Sequence, residues 1–229
     1  MAGPDDPTAP SFGTALDGPV PPDVLGARLV DGHGRVTSLG ALRGKVVVLS
    51  DVLTQCQESC PVGTASILQA ARAINRTSLG SQVEFVSLTI DPRRDDARHL
   101  RAYESTFGTL PNWEVLSGDP ATLDRLWTRL GIWRHRTQNS PPYPRDWVTG
   151  QALHYDLSHT DELIFIDARQ HFRYEADGFG SLRSGRAIPP RIYRFMDALG
   201  HRNLKQQSPD NWSPGQVVDV VRWLTGGSS

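Results

Sequence analysis

The spacing of apolar positions changes several times along the chain, and each change marks an element. Residues 45–53 (KVVVLSDVL) form an almost unbroken apolar run rich in β-branched side chains, the pattern of a strand buried on both faces. Residues 83–90 (VEFVSLTI) repeat it. Between them, from about Pro61 to Ile74, the apolar spacing Ile67, Ala71, Ile74 predicts a helix. Asp91-Pro92 then turns the chain, and a helix is expected across 96–107 with Asp95 as its cap. Residues 112–116 read as a strand. Residues 119–130 read as an amphipathic helix, capped by Asp119 with Pro120 just inside. Upstream, residues 28–37 predict a hairpin turning at Asp31-Gly32. Downstream, residues 161–167 and 171–175 predict a closing β-hairpin. Ser213 caps a last helix whose apolar face is Val217, Val220, Val221 and Leu224. Residues 134–152 carry Pro141, Pro142 and Pro144 without periodicity and read as a long loop or insertion.

Strands alternating with helices, followed by a terminal hairpin, imply an α/β fold: a central mixed sheet flanked by helices, in a thioredoxin-like order.

Composition narrows the function less than the pattern does. A chain of 229 residues predicts one folded domain over residues 24–229. Residues 1–23 are rich in Pro, Gly and Asp and read as a flexible tether. A net charge of −1 gives no general attraction to nucleic acid or to an anionic membrane. No stretch reaches the roughly 18–20 apolar residues of a membrane span. No charged segment precedes an apolar one at the N-terminus, so no signal peptide is expected.

Candidate chemistry sits where the first buried strand ends. Cys56 and Cys60 are the only cysteines, and Pro61 follows them. The spacing places them where a strand gives way to a helix, with Pro61 at the first helical position. Free N–H groups and the dipole at that helix end favour thiolate over thiol. Two activated sulfurs within one turn suit Cu(I) binding or reversible disulfide chemistry. A merely packed pair is the bland alternative.

Three motifs occur in order: Thr54-x-Cys56-x-x-x-Cys60-Pro61, Asp91-Pro-x-x-Asp95, and Asp156-Leu-Ser-His159 ahead of an apolar strand ending at Asp167. Together they resemble the Sco/SenC family of thioredoxin-like copper proteins, which serve assembly of the CuA centre of cytochrome c oxidase. The resemblance implies that Cys56, Cys60 and His159 bind copper as Cu(I) or Cu(II), with a late histidine borne on a loop. It implies a metallochaperone whose partner is the CuA subunit or another copper acceptor, alongside a thiol reductant. An extracytoplasmic setting and a membrane tether follow from it as well. His154 is a rival ligand, and His135 approaches only if the insertion folds back. The chain departs from the family pattern at Gln57-Glu58-Ser59, where a Pro-Asp pair is usual, and Glu58 there keeps an acid near the site. It has Leu53 where an aromatic is usual, and residues 134–152 and 178–210 are longer than the family core. The alternative function is a thiol-disulfide oxidoreductase that reduces the acceptor's cysteines, with Cys56 attacking and Cys60 resolving; only in that reading is the chain an enzyme.

Overall fold

The run VVVLSDV is apolar on both faces because strand β4 lies between two other strands at the centre of a sheet. The computed structural model describes residues 8–206, 208 and 211–226. In chain order its elements are β1 (Thr14–Pro19), α1 (Pro22–Leu25), β2 (Leu29–Asp31), β3 (Val36–Thr37), β4 (Val46–Val52), α2 (Cys60–Asn75) and β5 (Val83–Thr89). There follow α3 (Ala97–Phe107), β6 (Trp113–Gly118), α4 (Pro120–Arg129), β7 (Arg134–Gln138), β8 (Tyr155–His159), β9 (Glu162–Ile166) and β10 (His171–Asp177). Short helices α5 (Pro190–Phe195) and α6 (Ala198–Lys205) precede the last helix, α7 (Pro214–Thr225).

The sheet is ordered β1-β10-β9-β4-β5-β6-β2-β3, with β7 and β8 forming a separate two-stranded ribbon. Strands β4, β5 and β6 are parallel, joined by the crossover helices α2 and α3, and β9 closes against β4 antiparallel. Helix α2 packs on β5 and α7, burying Ile67, Leu68, Ala71 and Ile74. Full burial of each of the larger side chains stabilises by about 1.5–3 kcal/mol. The thioredoxin-like mixed sheet expected from the sequence is therefore present, as is the 28–37 hairpin, paired Leu29↔Thr37 and Val30↔Val36.

Several expectations need correction. Residues 14–19, assigned to the tether, form edge strand β1 against β10. Little in their side chains announces a strand. They are held by the partner strand and by Tyr174, whose hydroxyl accepts from Gly13 N–H at 2.6 Å and donates to Pro10 O at 2.7 Å. Residues 1–7 lie outside the described residues. Part of the 134–152 loop is strand β7, polar throughout and mostly exposed; it pairs with β8, and Arg134 at its start donates to Asp124 of the preceding helix at 3.2 Å. Helix α3 is capped by Asp96, whose carboxylate accepts from Arg98 and His99 N–H; Asp95 points elsewhere. Helix α2 starts one residue early, so Cys60 is itself its first residue.

Candidate metal centre

The two aspartates of Asp91-Pro-x-x-Asp95 tie both halves of the site to the end of β5. Asp95 is fully buried; it accepts from Thr54 N–H at 3.1 Å and from the hydroxyls of Thr54 and Thr89. Burial pushes its carboxyl up to about 6, with those hydrogen bonds pulling the other way. Asp95 thus anchors the residue that opens the cysteine loop. Asp91 accepts from Arg94 and from the Tyr155 hydroxyl at 3.0 Å, and Arg94 donates to Tyr155 O at 2.6 Å. This fixes the start of β8, whose last residue is His159.

Cys56 follows that anchored turn, its N–H bonded to Leu53 O at 3.0 Å. The neighbouring Cys60 thiol holds the Cys56 pKa down to about 7 despite burial; the N–H groups of Cys60 and Glu58 and the charge on His159 add to this. The Glu58 N–H lies 3.4 Å from the sulfur. Cys60 is pushed well above the ordinary thiol range by the neighbouring Cys56 sulfur and by burial. The pair therefore shares one readily lost proton. Both sulfurs are free thiols.

His159 arrives from the opposite side, at the end of a strand rather than on a loop, with its side chain 5% exposed. Its Nδ1 lies 3.1 Å from Asp51 Oδ2 and 3.0 Å from Thr160 O. Burial opposes charge on this ring, but the Asp51 carboxylate beside it, the charge of Asp161 and Thr160 O lift it to about 10. With Nδ1 so occupied, Nε2 is the nitrogen left to bind a ligand. Asp51 Oδ1 in turn accepts from Glu162 N–H at 2.9 Å. Among the described residues the donor atoms that all lie within 4.8 Å of one another are those of Cys60, His159 and Asp161; Cys56 is outside that group. Burial and the negative Asp51 push the Asp161 carboxyl up to about 8.

Neither Asp51 nor Asp161 was singled out from the sequence. A lone carboxylate inside the VVVLSDV run was the available signal for Asp51; Asp161 offered only its place two residues past His159. His154 is exposed and packs edge-on against Tyr143, and His135 is exposed and stacked on Trp133, so neither joins the group. Glu58 contributes its N–H to Cys56; its carboxyl, half-buried and raised by burial and by Asp197 and Asp156, is outside the cluster.

Both long segments brace the cysteine loop. Trp147 donates from Nε1 to Thr54 O at 2.7 Å, and Arg191 lies over its ring, 5.0 Å from the centroid. Gln57 Nε2 donates to Phe195 O at 2.7 Å, and Gln57 O accepts from Asp197 N–H at 3.2 Å. Gly200 packs so close that a Cβ there would meet Gln57 O at 2.1 Å.

Comparison with known proteins bears on the family and the fold. The family model described as SCO1/SenC matches residues 27–181. A "SCO1 protein homolog" of Bacillus subtilis is 26% identical over 86 residues, 37% of this chain and 44% of that protein, so the match spans under half of the relative's length. Among solved structures, Bradyrhizobium japonicum ScoI with copper bound superposes with a TM-score of 0.55 at 22% identity, covering 80% of this chain and all of that one. A structure described as identifying a disulfide switch in BsSco, a member of the Sco family of cytochrome c oxidase assembly proteins, gives 0.52 at 15% identity over 80% and 92%. At these identities the structural likeness establishes the shared fold.

Proposed function

The chain belongs to the SCO1/SenC family, and from that membership and the geometry of the site we propose that it captures copper with Cys56, Cys60 and His159 and passes it to the CuA site of a cytochrome c oxidase. The observation that carries this reading is the approach of Cys60 and His159 donor atoms to within 4.8 Å, with the acidified thiol of Cys56 in the loop just before Cys60. Two sulfurs suit Cu(I), and the imidazole lets the same site accept Cu(II). Asp51 orients His159, as carboxylate partners of metal-binding histidines do, and raises its basicity.

Binding requires deprotonated donors, so capture releases the Cys60 proton and the Nε2 proton of His159. Asp51 remains to hold the Nδ1–H. Cys56, on the loop and less buried than Cys60, is the sulfur an acceptor's ligand reaches first. Release then proceeds by stepwise ligand exchange from the Cys56 side. No described helix is long and apolar enough to cross a membrane. An extracytoplasmic location and attachment to a membrane form part of the proposal through the family.

One observation favours a second reading. A thiolate near 7 beside a thiol of much higher pKa is also the arrangement of a disulfide reductase. Cys56 would attack a disulfide of the acceptor and expel one of its thiolates. Cys60 would then resolve the mixed disulfide, releasing the acceptor as a dithiol and leaving Cys56–Cys60 oxidised. The two readings separate when the reduced, copper-loaded chain is mixed with an apo CuA domain whose cysteines are already reduced. Appearance of the CuA optical bands supports copper delivery. Failure there, with turnover of an oxidised CuA domain lost in Cys56→Ser, supports the reductase.

A further inference from the structure

We infer that Asp161 is an oxygen ligand of the metal centre, and that it tunes the site toward the divalent ion. The inference rests on the copper-site reading above and extends it to a residue outside the three motifs. Asp161 reaches the cluster because β8 ends at His159 and β9 begins at Glu162, so the two-residue turn between them delivers imidazole and carboxylate to the same side of Cys60.

The donors are spaced for one ion. Bonds of about 2.0–2.3 Å to nitrogen, oxygen and sulfur place three evenly spaced ligands of one ion at most about 4 Å apart. The three donor atoms already lie within 4.8 Å, so a contraction of under about 1 Å brings them into range of a single ion. Competing partners for the carboxylate are weak: its one hydrogen bond comes from Ser59 Oγ at 3.4 Å. Asp161 and Cys60 also line a cavity of about 20 Å³, room for one water-sized sphere, so the carboxylate can turn without displacing the backbone.

Charge fixes the direction of the preference. Asp51 and Asp161 place two carboxylates beside a single imidazole, and the sulfurs add negative charge once deprotonated. A hard oxygen donor and surplus negative charge favour Cu(II) over Cu(I), because Cu(I) is satisfied by the two sulfurs alone. Asp51 lies outside the donor group, with Oδ1 bonded to Glu162 N–H and Oδ2 facing His159 Nδ1 at 3.1 Å.

The test compares the full reduced chain with Asp161→Asn, Asp161→Ala, Cys56→Ser and His159→Ala, each verified as folded by its thermal transition. Cu(I) and Cu(II) affinities are measured by competition with chelators, and the Cu(II) forms are examined by electron paramagnetic resonance. Asp161→Asn and Asp161→Ala are expected to lower Cu(II) affinity at least tenfold, the scale known for losing even an outer partner of a ligand. They should change the copper hyperfine coupling and leave Cu(I) affinity within about twofold. Unchanged Cu(II) affinity and an unchanged spectrum in both Asp161 variants, with loss in Cys56→Ser and His159→Ala, would overturn the ligand and leave the copper site standing. No copper binding by the wild type, or binding indifferent to Cys56 and His159, would overturn both.

Discussion

Removing the Cys60 thiol should make Cys56 a weaker acid, by an amount the site's geometry bounds. An ordinary thiol sits at 9.0, and Cys56 is held at about 7, first by the neighbouring Cys60 thiol. At pH 7 the wild-type sulfur is about half ionised, against about 1 part in 100 for an unperturbed thiol. That is a fifty-fold difference in thiolate, but the alkylation rate falls less. A thiolate two units more basic is intrinsically about 6–10-fold more nucleophilic, given a Brønsted slope near 0.4–0.5. The rate at pH 7 therefore drops by roughly 5–8-fold at most, and the midpoint of the pH–rate profile is the sharper observable. In Cys60→Ala the N–H groups of residue 60 and Glu58 and the His159 charge remain, so the midpoint should rise without reaching 9.0. The assay is iodoacetamide alkylation of the reduced, metal-free protein from pH 5 to 10, with modified peptides identified by mass spectrometry. A wild-type midpoint near 9, or faster modification of Cys60 than of Cys56, would refute the account of how the pair shares its proton.

Three further outcomes follow from the same geometry. His159→Ala should weaken Cu(II) binding far more than Cu(I) binding, because the two sulfurs still hold Cu(I); equal losses in chelator competition would contradict that division. His159 stands at about 10 against an ordinary 6.5, so its stabilisation of the metal-free fold is complete below pH 6.5 and is lost as pH rises through 10. Between pH 8 and 10 the wild-type Tm should accordingly fall more steeply than that of His159→Gln, and parallel curves would sink the ion pair as a source of stability. Gly200→Ala gains about 1 kcal/mol of helix propensity but drives a Cβ to 2.1 Å from Gln57 O. Overpacking of that kind costs about 1–3 kcal/mol, so chemical denaturation should show a net loss; an unchanged midpoint would mean that α6 does not brace the cysteine loop.

The sequence made the long central elements legible because their burial is written into their composition. β4 and β5 are apolar on both faces, and α2, α4 and α7 carry an apolar stripe together with a proline at their start. Elements defined by a partner rather than by their own side chains were hidden. β1 and β7 are polar or glycine- and proline-containing strands, and each exists because another strand offers it hydrogen bonds. Asp95 looked like a cap because an aspartate one position before the helix is one; its neighbour Asp96 takes that role and frees Asp95 to hold Thr54. Of the motif residues, Cys60 and His159 have donor atoms within 4.8 Å of each other, and Cys56 lies outside that group. Asp51 and Asp161 escaped notice because charge at a site is a property of which strands meet. Only the β4–β9 pairing, with Leu163 opposite Ser50, brings those two carboxylates to the same histidine.

The most direct test of the central claim is anaerobic copper titration of the reduced chain, followed by oxidation and an optical spectrum. The account predicts one copper per chain and a sulfur-to-Cu(II) charge-transfer band that is lost in each of Cys56→Ser, Cys60→Ser and His159→Ala. Absence of stoichiometric copper, or a band indifferent to His159, would contradict it.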